Sequence, residues 1–163
     1  MRQTSGLIVV GVDGSAGSER ALEWALREGA LRGCAIEVVT TWPPEPSHAA
    51  GATPAVPIDH AVTAREIQDR TIDAVAGRLP DVFAGVSVAR EIVEGSARDV
   101  LVEASRSADL VVVGSRGLGA LIGAVMGSVS SAVVHAAVCP VVVIGGVADT
   151  ATGHADVAIS ARC

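Results

Sequence analysis

The chain of 163 residues contains no lysine and no tyrosine, and its aromatic residues are Trp24, Trp42 and Phe83. A Walker A loop needs a lysine to reach the outer phosphates of a nucleotide, so that type of site is excluded. The shortage of aromatic rings removes a base-stacking platform for nucleic acid and counts against a flavin carrier of the flavodoxin type. The core must be built from Ala, Val, Leu and Ile, which suits a parallel sheet covered by helices.

Basic residues are also too few for a nucleic-acid partner, because the net charge is −6 at pH 7 and the pI is near 5.1. The cysteines, Cys34, Cys139 and Cys163, are too scattered for a disulfide framework or a Cys-x-x-Cys site. A reducing cytoplasm fits them best. The four histidines lie far apart and join no carboxylate cluster, so no metal site is predicted.

The chain is long enough to bury one core without metal or disulfide support. Its first residues lead into a short apolar strand that Asp13 interrupts, which is too short for a signal-peptide core or a membrane span. We expect a soluble cytoplasmic protein without a membrane partner. Residues 1–146 are predicted to form one domain, and the small, poorly periodic segment 147–163 is predicted to be a flexible tail.

Strands and helices alternate along the chain. This alternation implies right-handed βαβ crossovers and an α/β fold, with a single open, doubly wound parallel sheet of five strands in the order 3-2-1-4-5. Such a fold is Rossmann-like. The hydrophobic pattern predicts strands at 7–12, 35–41, 86–93, 109–113 and 140–145, and helices near 17–32, 61–79, 96–106 and 127–137.

A proline-rich segment, residues 43–60, follows the second strand and can be neither helix nor central strand. Loops of this length in compact domains are functional or disordered. The segment leaves the sheet edge at which open α/β sheets bind ligands. Two interpretations are therefore open: a mobile lid over a ligand, or a surface insertion without a role.

The most informative pattern is Gly114-Ser-Arg-Gly117, followed after nine residues by Gly127-Ser128-Val129-Ser130. The first part ends an apolar strand with glycines, which allow a sharp turn and a close approach to a ligand. The second part begins a helix, whose unpaired N–H groups bind anions. The pattern predicts two anion-binding turns that hold a polyphosphate. The alternative is ordinary loop glycines, which the full spacing disfavours.

Charged groups near this pattern are few. Arg116 is the cation within it, and it either contacts a phosphate or is a solvated surface arginine. The order 3-2-1-4-5 places Asp13, after the first strand, beside Gly114, after the fourth. Asp13 either accepts hydrogen bonds from a ribose or adenine, or it caps the next helix together with Ser15. Thr41, at the end of the second strand, is placed to touch a base edge.

Taken together, these segments resemble the universal stress protein family from Ile8 to Ile144, and the glycine spacing is that of its ATP-binding members. The matching segments are Val10-Gly-Val-Asp13-Gly-Ser15, Val93-Glu-Gly95 with Ser96-Ala-Arg-Asp99, Ala108-Asp-Leu-Val-Val-Val-Gly-Ser-Arg-Gly117 and Cys139-Pro-Val-Val-Val-Ile144.

The resemblance implies a fold like that of the adenine nucleotide alpha hydrolases and binding of ATP, with or without Mg²⁺, or of ADP or cyclic AMP. It places the glycine pattern around the phosphates and ribose, Val12 and Asp13 at the nucleoside, and Thr41 at adenine. The predicted binding residues are Val12, Asp13, Ser15, Thr41, Gly114, Arg116, Gly117, Gly127, Ser128, Val129 and Ser130.

The resemblance also implies a homodimer through the last strand, Val141 to Ile144, since an unprotected apolar edge seeks antiparallel pairing. The implied function is that of a stress-response regulator in which the bound nucleotide changes conformation or the binding of a regulatory protein. No catalytic residue is assigned. Two alternatives stay open: an enzyme with slow ATPase or transferase activity, in which Asp13 holds Mg²⁺ and Arg116 steadies charge, and a dimeric scaffold without nucleotide.

Overall fold

The computed structural model describes residues 6–44, 59–117, 126–146 and 157–160. The prediction of a mobile lid falls almost entirely on positions 45–58, which lie outside the described residues, as does the stretch 118–125 within the glycine pattern. Among the residues described, none of the helices is both long enough and apolar enough to cross a bilayer.

The described strands form one sheet in the order β3-β2-β1-β4-β5-β6. The first five are parallel, which confirms the predicted order 3-2-1-4-5. The sixth, which the sequence analysis did not predict, pairs antiparallel with β5. The strands are β1 (Leu7–Gly11), β2 (Ala35–Trp42), β3 (Val88–Glu94), β4 (Leu110–Gly114), β5 (Val141–Ile144) and β6 (Val157–Ser160).

The four predicted helices are present within a few residues of their expected bounds. A further short helix with proline at its first position, where the missing N–H costs nothing, precedes β3 and was not predicted. The helices are α1 (Ala16–Arg32), α2 (His60–Arg78), α3 (Pro80–Ala84), α4 (Ala97–Ala104) and α5 (Ser128–Ala136).

The core lies on both faces of the sheet. Neighbouring residues of one strand point to opposite faces, yet Val9 and Val10 on β1 are both 0 % exposed. Val10 belongs to the cluster that packs against α1 and α2, whereas Val9 belongs to the cluster that packs against α4 and α5. Two-sided cover explains why these strands are continuous apolar runs.

The segment after residue 146 differs from its prediction. Val157–Ser160 form strand β6, in register with β5 from Val141↔Ser160 to Ile144↔Val157. The flexible tail is therefore wrong for these four residues, and the outer edge of β5 is not unprotected in this structure. A strand of four residues within a small, polar segment has too short a pattern to be recognised in sequence. The homodimer itself stays a prediction.

Deleting residues 157–163 is expected to make the chain self-associate. The deletion exposes the backbone edge of β5, whose four side chains are between 2 % and 6 % exposed, and an open apolar edge recruits another strand. Sedimentation velocity over a concentration series measures the effect. The matched control deletes residues 161–163 only and keeps β6. Equal masses for the two truncated chains at every concentration would contradict the role given to β6.

Candidate functional site

A cavity of about 340 Å³ opens at the carboxyl ends of β1 and β4, which is the predicted edge of the sheet. All of the residues predicted to bind a ligand line this cavity; their contacts with a ligand stay a prediction. The lining residues are Gly11, Val12, Asp13, Ser15, Ser18, Val39, Thr41, Ala97, Leu101, Val113, Gly114, Arg116, Gly117, Gly127, Ser128, Val129 and Ser130.

The turn after β1 orients Asp13. Its Oδ1 accepts a hydrogen bond from the Ser15 N–H at 3.0 Å, and Gly14 between them has a φ of 83°, which favours glycine. The N-cap of α1 is Ser15, whose side chain accepts from the Ser18 N–H at 3.2 Å. Asp13 therefore shapes the turn that leads into α1, while Ser15 is the N-cap of the helix.

The carboxylate of Asp13 also faces the turn that follows β4. A Cβ added at Gly117 would overlap Asp13 Oδ2, so glycine at this position leaves room for the carboxylate. The two turns of the site thus meet through one acidic side chain. An anion bound at Gly117 would lie close to a negative charge, and a cation between them would relieve the repulsion.

Gly114, at the end of β4, has a packing role in addition to its place on the cavity wall. A Cβ added there would lie 2.7 Å from the carbonyl carbon of Gly17 in the first turn of α1. Likewise, a Cβ added at Gly17 would lie 2.7 Å from the carbonyl oxygen of Arg116. The start of α1 and the turn after β4 are therefore in backbone contact, which the glycine pattern did not reveal.

Gly127 precedes α5, and packing within the described chain does not require glycine there. Its φ is −76°, which any residue adopts, and an added Cβ would meet its nearest atom, the Ser115 carbonyl oxygen, at an ordinary 3.5 Å. The N-cap is Gly127 itself, so no N-cap side chain satisfies the first N–H groups of α5 in the described part of the chain. The free N–H groups of its first turn lie at the cavity wall, which is the arrangement that binds anions at helix starts.

Ser130 connects the start of α5 with the turn that follows β4. Its side chain is 3 % exposed, and its hydroxyl lies 3.0 Å from the Ser115 carbonyl and 3.1 Å from the Gly127 carbonyl. Its single proton is directed at these main-chain acceptors, so Ser130 holds the start of α5 against the turn after β4. A phosphate is also an acceptor, and Ser130 would have to release a carbonyl to donate to it.

Charge at the cavity is sparse and balanced. Asp13 is the acidic residue and Arg116 the basic residue among the described lining residues. Arg116 is exposed, and within the described chain it makes no ion pair, so both interpretations of its side chain remain open. Residues 118–125 add no charged side chain. Among the described lining residues, an anion could therefore meet backbone N–H groups and the one guanidinium of Arg116.

Sequence analysis missed the wall that α4 provides. Ala97 and Leu101 lie one helical turn apart on α4 and complete an apolar surface with Val39 and Val113. Their i, i+4 spacing indicates a shared helix face, but spacing cannot show that this face meets the ends of β2 and β4. The apolar wall suits a planar base, while the glycine turns suit phosphates.

Two ionisable groups with shifted pKa values lie outside the cavity. Burial, and then the neighbouring Glu91, raises the pKa of Glu37 on β2. Burial also raises the pKa of the Cys139 thiol, which disfavours the reactive thiolate. Over the described ranges, no three His, Cys, Asp or Glu residues are grouped as metal ligands.

The family model described as the universal stress protein family matches residues 6–145. A universal stress protein of Mycolicibacterium smegmatis is 38% identical over 147 residues, which are 85% of this chain and 48% of that protein. Universal stress protein Rv2005c of Mycobacterium tuberculosis is 38% identical over 148 residues, which are 84% of this chain and 47% of that protein. The chain spans about half the length of these curated relatives.

Solved structures show the same similarity. A universal stress protein in complex with cAMP superposes with a TM-score of 0.61 at 26% identity, over 86% of this chain and 97% of that one. A universal stress protein from Archaeoglobus fulgidus in complex with dAMP superposes with a TM-score of 0.59 at 24% identity, over 88% of this chain and 98% of that one; this likeness concerns the fold alone.

The glycines of the site are expected to differ in their effect on stability. Gly114→Ala should lower the free energy of unfolding by about 1–3 kcal/mol, because the methyl group collides with backbone at Gly17. Gly127→Ala should leave it within about 1 kcal/mol of wild type, because its Cβ makes ordinary contacts. Urea unfolding followed by circular dichroism measures both. Equal midpoints for the two variants would show that the contact with α1 is not tight.

Proposed function

Because the chain belongs to the universal stress protein family, we propose that it binds an adenine nucleotide between β1 and β4 and acts as a stress-response regulator in the cytoplasm. The bound nucleotide would change its conformation or its binding to a regulatory protein. The observation behind this proposal is the start of α5 at the cavity wall, where the N-cap is Gly127, a residue without a capping side chain that packing among the described residues does not require to be glycine.

The phosphates are assigned to the start of α5 and the turn at Gly117. Backbone N–H groups at a helix start bind anions without help from lysine, which the chain lacks. A Cβ at Gly127 would be harmless in the empty protein but would stand at the wall where a phosphate approaches. Arg116, exposed and at the same wall, is the cation available to a terminal phosphate.

The base is assigned to the apolar wall between β2 and α4. Val39 and Leu101 supply apolar contact, and Thr41, which also lines the cavity, adds a hydroxyl. A volume of about 340 Å³ lies in the range of small-ligand pockets. The solved relative that contains cAMP supports an adenine nucleotide as the class of ligand.

ATP is the first candidate ligand, with ADP and cyclic AMP as alternatives. Mg²⁺ fits the site only together with a nucleotide, because it binds through one or two carboxylates plus substrate phosphates. Asp13 offers such a carboxylate facing the turn at Gly117. When bound, the ion would neutralise phosphate charge next to Asp13, while this chain's own residues orient the nucleotide.

A homodimer through β5 remains part of the proposal, with one condition. In this structure the outer edge of β5 is hydrogen-bonded to β6, so a second copy could pair there only after β6 leaves. A dimer that uses this edge would therefore depend on the position of the C-terminal segment.

We expect protein stripped of nucleotide to bind ATP, ADP or cyclic AMP saturably in calorimetric titrations. Gly127→Ala should weaken this affinity at least about tenfold, which is about 1.4 kcal/mol, because the added methyl group stands where a phosphate approaches. Gly77→Ala is the matched control, since an added Cβ on that turn of α2 has no neighbour within 4 Å. Absence of binding by wild type would favour the scaffold alternative, and equal affinity in Gly127→Ala would overturn the phosphate assignment.

Asp13→Asn distinguishes the regulator from the enzyme. If Asp13 holds the ion, Mg²⁺ should tighten ATP binding in wild type, and the variant should lose most of that gain. Cyclic AMP, with one phosphate charge, is the control ligand and should respond little to Mg²⁺ in either protein. Phosphate release should be slow in wild type. Rapid release that Asp13→Asn abolishes would favour the enzyme alternative.

A further inference from the structure

Thr40 lies on β2 between two cavity residues, Val39 and Thr41, but it does not face the cavity itself. Side chains alternate along a strand, so Thr40 points to the opposite face, where α2 covers the sheet. It is 3 % exposed. A polar side chain at such a buried place needs hydrogen-bond partners, and the partners of Thr40 connect it to the backbone next to Asp13.

The hydroxyl of Thr40 extends the pairing of β1 with β2 beyond its last registered pair, Gly11↔Val39. The residue that follows β1 is Val12, whose N–H donates to the Val39 carbonyl at 2.9 Å. Thr40 Oγ1 donates to the Val12 carbonyl, also at 2.9 Å. Both backbone polar groups of Val12 are therefore held by β2, and the chain leaves this anchored residue at Asp13.

Gln68, on α2, holds Thr40 in turn. Its side chain is 1 % exposed, and Nε2 lies 3.2 Å from Thr40 Oγ1, 3.0 Å from the Val38 carbonyl and 2.9 Å from the Glu91 carbonyl. Two amide hydrogens serve these three acceptors. When the amide donates to Thr40 Oγ1, the hydroxyl proton of Thr40 is left to point at Val12.

Packing alone does not explain this amide. In the described part of the chain, Gln68 Oε1 is buried and has no hydrogen-bond partner. A buried acceptor without a partner is unfavourable, and an apolar side chain of similar volume would avoid that cost. An apolar side chain could not donate to the Val38 and Glu91 carbonyls or to Thr40 Oγ1, and the last of these contacts is the one that orients Thr40. Buried polar networks of this kind specify geometry.

We propose that Gln68 and Thr40 are positioning residues for the nucleotide site. They act from behind the sheet, through the Val12 carbonyl, and set the direction in which Asp13 leaves β1. This inference rests on the proposed function, because it assumes that the cavity binds a nucleotide. Neither side chain lines the cavity, and the route that the hydrogen bonds provide from them to the site is the backbone at Val12.

Thr40→Val removes the hydroxyl with little change in shape. We expect it to weaken binding of the tightest adenine nucleotide about tenfold, the size typical of losing a group that orients a binding residue. Thr40→Ser keeps the hydroxyl and should restore most of the affinity. Calorimetric titration measures both affinities. It is done in buffer without urea, at a temperature at which circular dichroism shows that the variants are folded.

Thr71→Val is the matched control. Thr71 is also 3 % exposed, lies on α2 like Gln68, and donates its hydroxyl to a carbonyl, that of Ile67, at 2.8 Å. The substitution removes an equivalent buried hydroxyl that has no hydrogen bond to Val12. It should lower stability to a similar extent and leave affinity unchanged. Equal losses of affinity in Thr40→Val and Thr71→Val would show a general loosening of the fold and overturn the proposal.

Gln68→Leu tests the first residue in the series of hydrogen bonds from Gln68 through Thr40 to Val12. It keeps the proposal testable if Thr40→Val does not fold. Affinity should fall several-fold, and the double variant with Thr40→Val should lose no more than Thr40→Val alone, because the two side chains act in series. Additive losses would mean that Gln68 and Thr40 act separately, which contradicts the proposal.

NMR spectra of the backbone amides distinguish a failure of this inference from a failure of the proposed function. Without any ligand, the ¹H–¹⁵N signals of Asp13 and Ser15 should shift clearly more in Thr40→Val than in Thr71→Val, because Thr71 lines a small pocket with Asp13 but donates its hydroxyl to Ile67 and not to Val12. If wild type binds no nucleotide, the proposed function fails while these signals still report whether Thr40 orients Asp13. If wild type binds and the signals do not move, the positioning role is wrong and the proposed function stands.

Discussion

The contact between Gly17 and Gly114 is the constraint on which the rest of the site depends. It brings the backbone of the first turn of α1 so close to the end of β4 that Gly114 has no room for a Cβ, and a Cβ on Gly17 would collide with the Arg116 carbonyl oxygen in the turn that follows β4. Because α1 begins at the turn that contains Asp13, the same contact places Asp13 beside Gly117. A larger distance between α1 and β4 would move the two turns apart, and the cavity between them would lose its shape.

Because the two backbone segments lie so close together, the site between them is made mostly of backbone groups. Side chains that meet a ligand's charge are limited to Asp13 and Arg116 among the described lining residues, and the chain has no lysine to add. In the proposed function, recognition of an anion would rely on N–H groups at the start of α5, whose position Ser130 sets by bonding to the Ser115 and Gly127 carbonyls. Backbone donors are oriented by the fold, so the precision of the site is a property of packing.

The β5 edge of the sheet shows what an apolar sequence pattern can predict about strand pairing and what it cannot. Val141–Ile144 has the composition of an unprotected edge strand, and the expected partner was a second copy of the chain. The structure gives it a partner from the same chain, β6, through four register pairs. A second segment joined to the first by a short connection competes favourably with a separate molecule, because its effective concentration is high. Composition shows that an edge needs covering but cannot show which segment covers it.

The sequence by itself determined the alternation of strands and helices, their order in the sheet, and the glycine turns at its carboxyl edge, because periodicity and turn chemistry are local properties. Tertiary structure alone decided that Gly114 packs against Gly17, that Leu101 closes the cavity from α4, and that Gln68 reaches Thr40 and so Val12. Each of these contacts joins residues from separate elements. Their distances depend on how helices pack across the sheet, and no spacing along the chain records that packing.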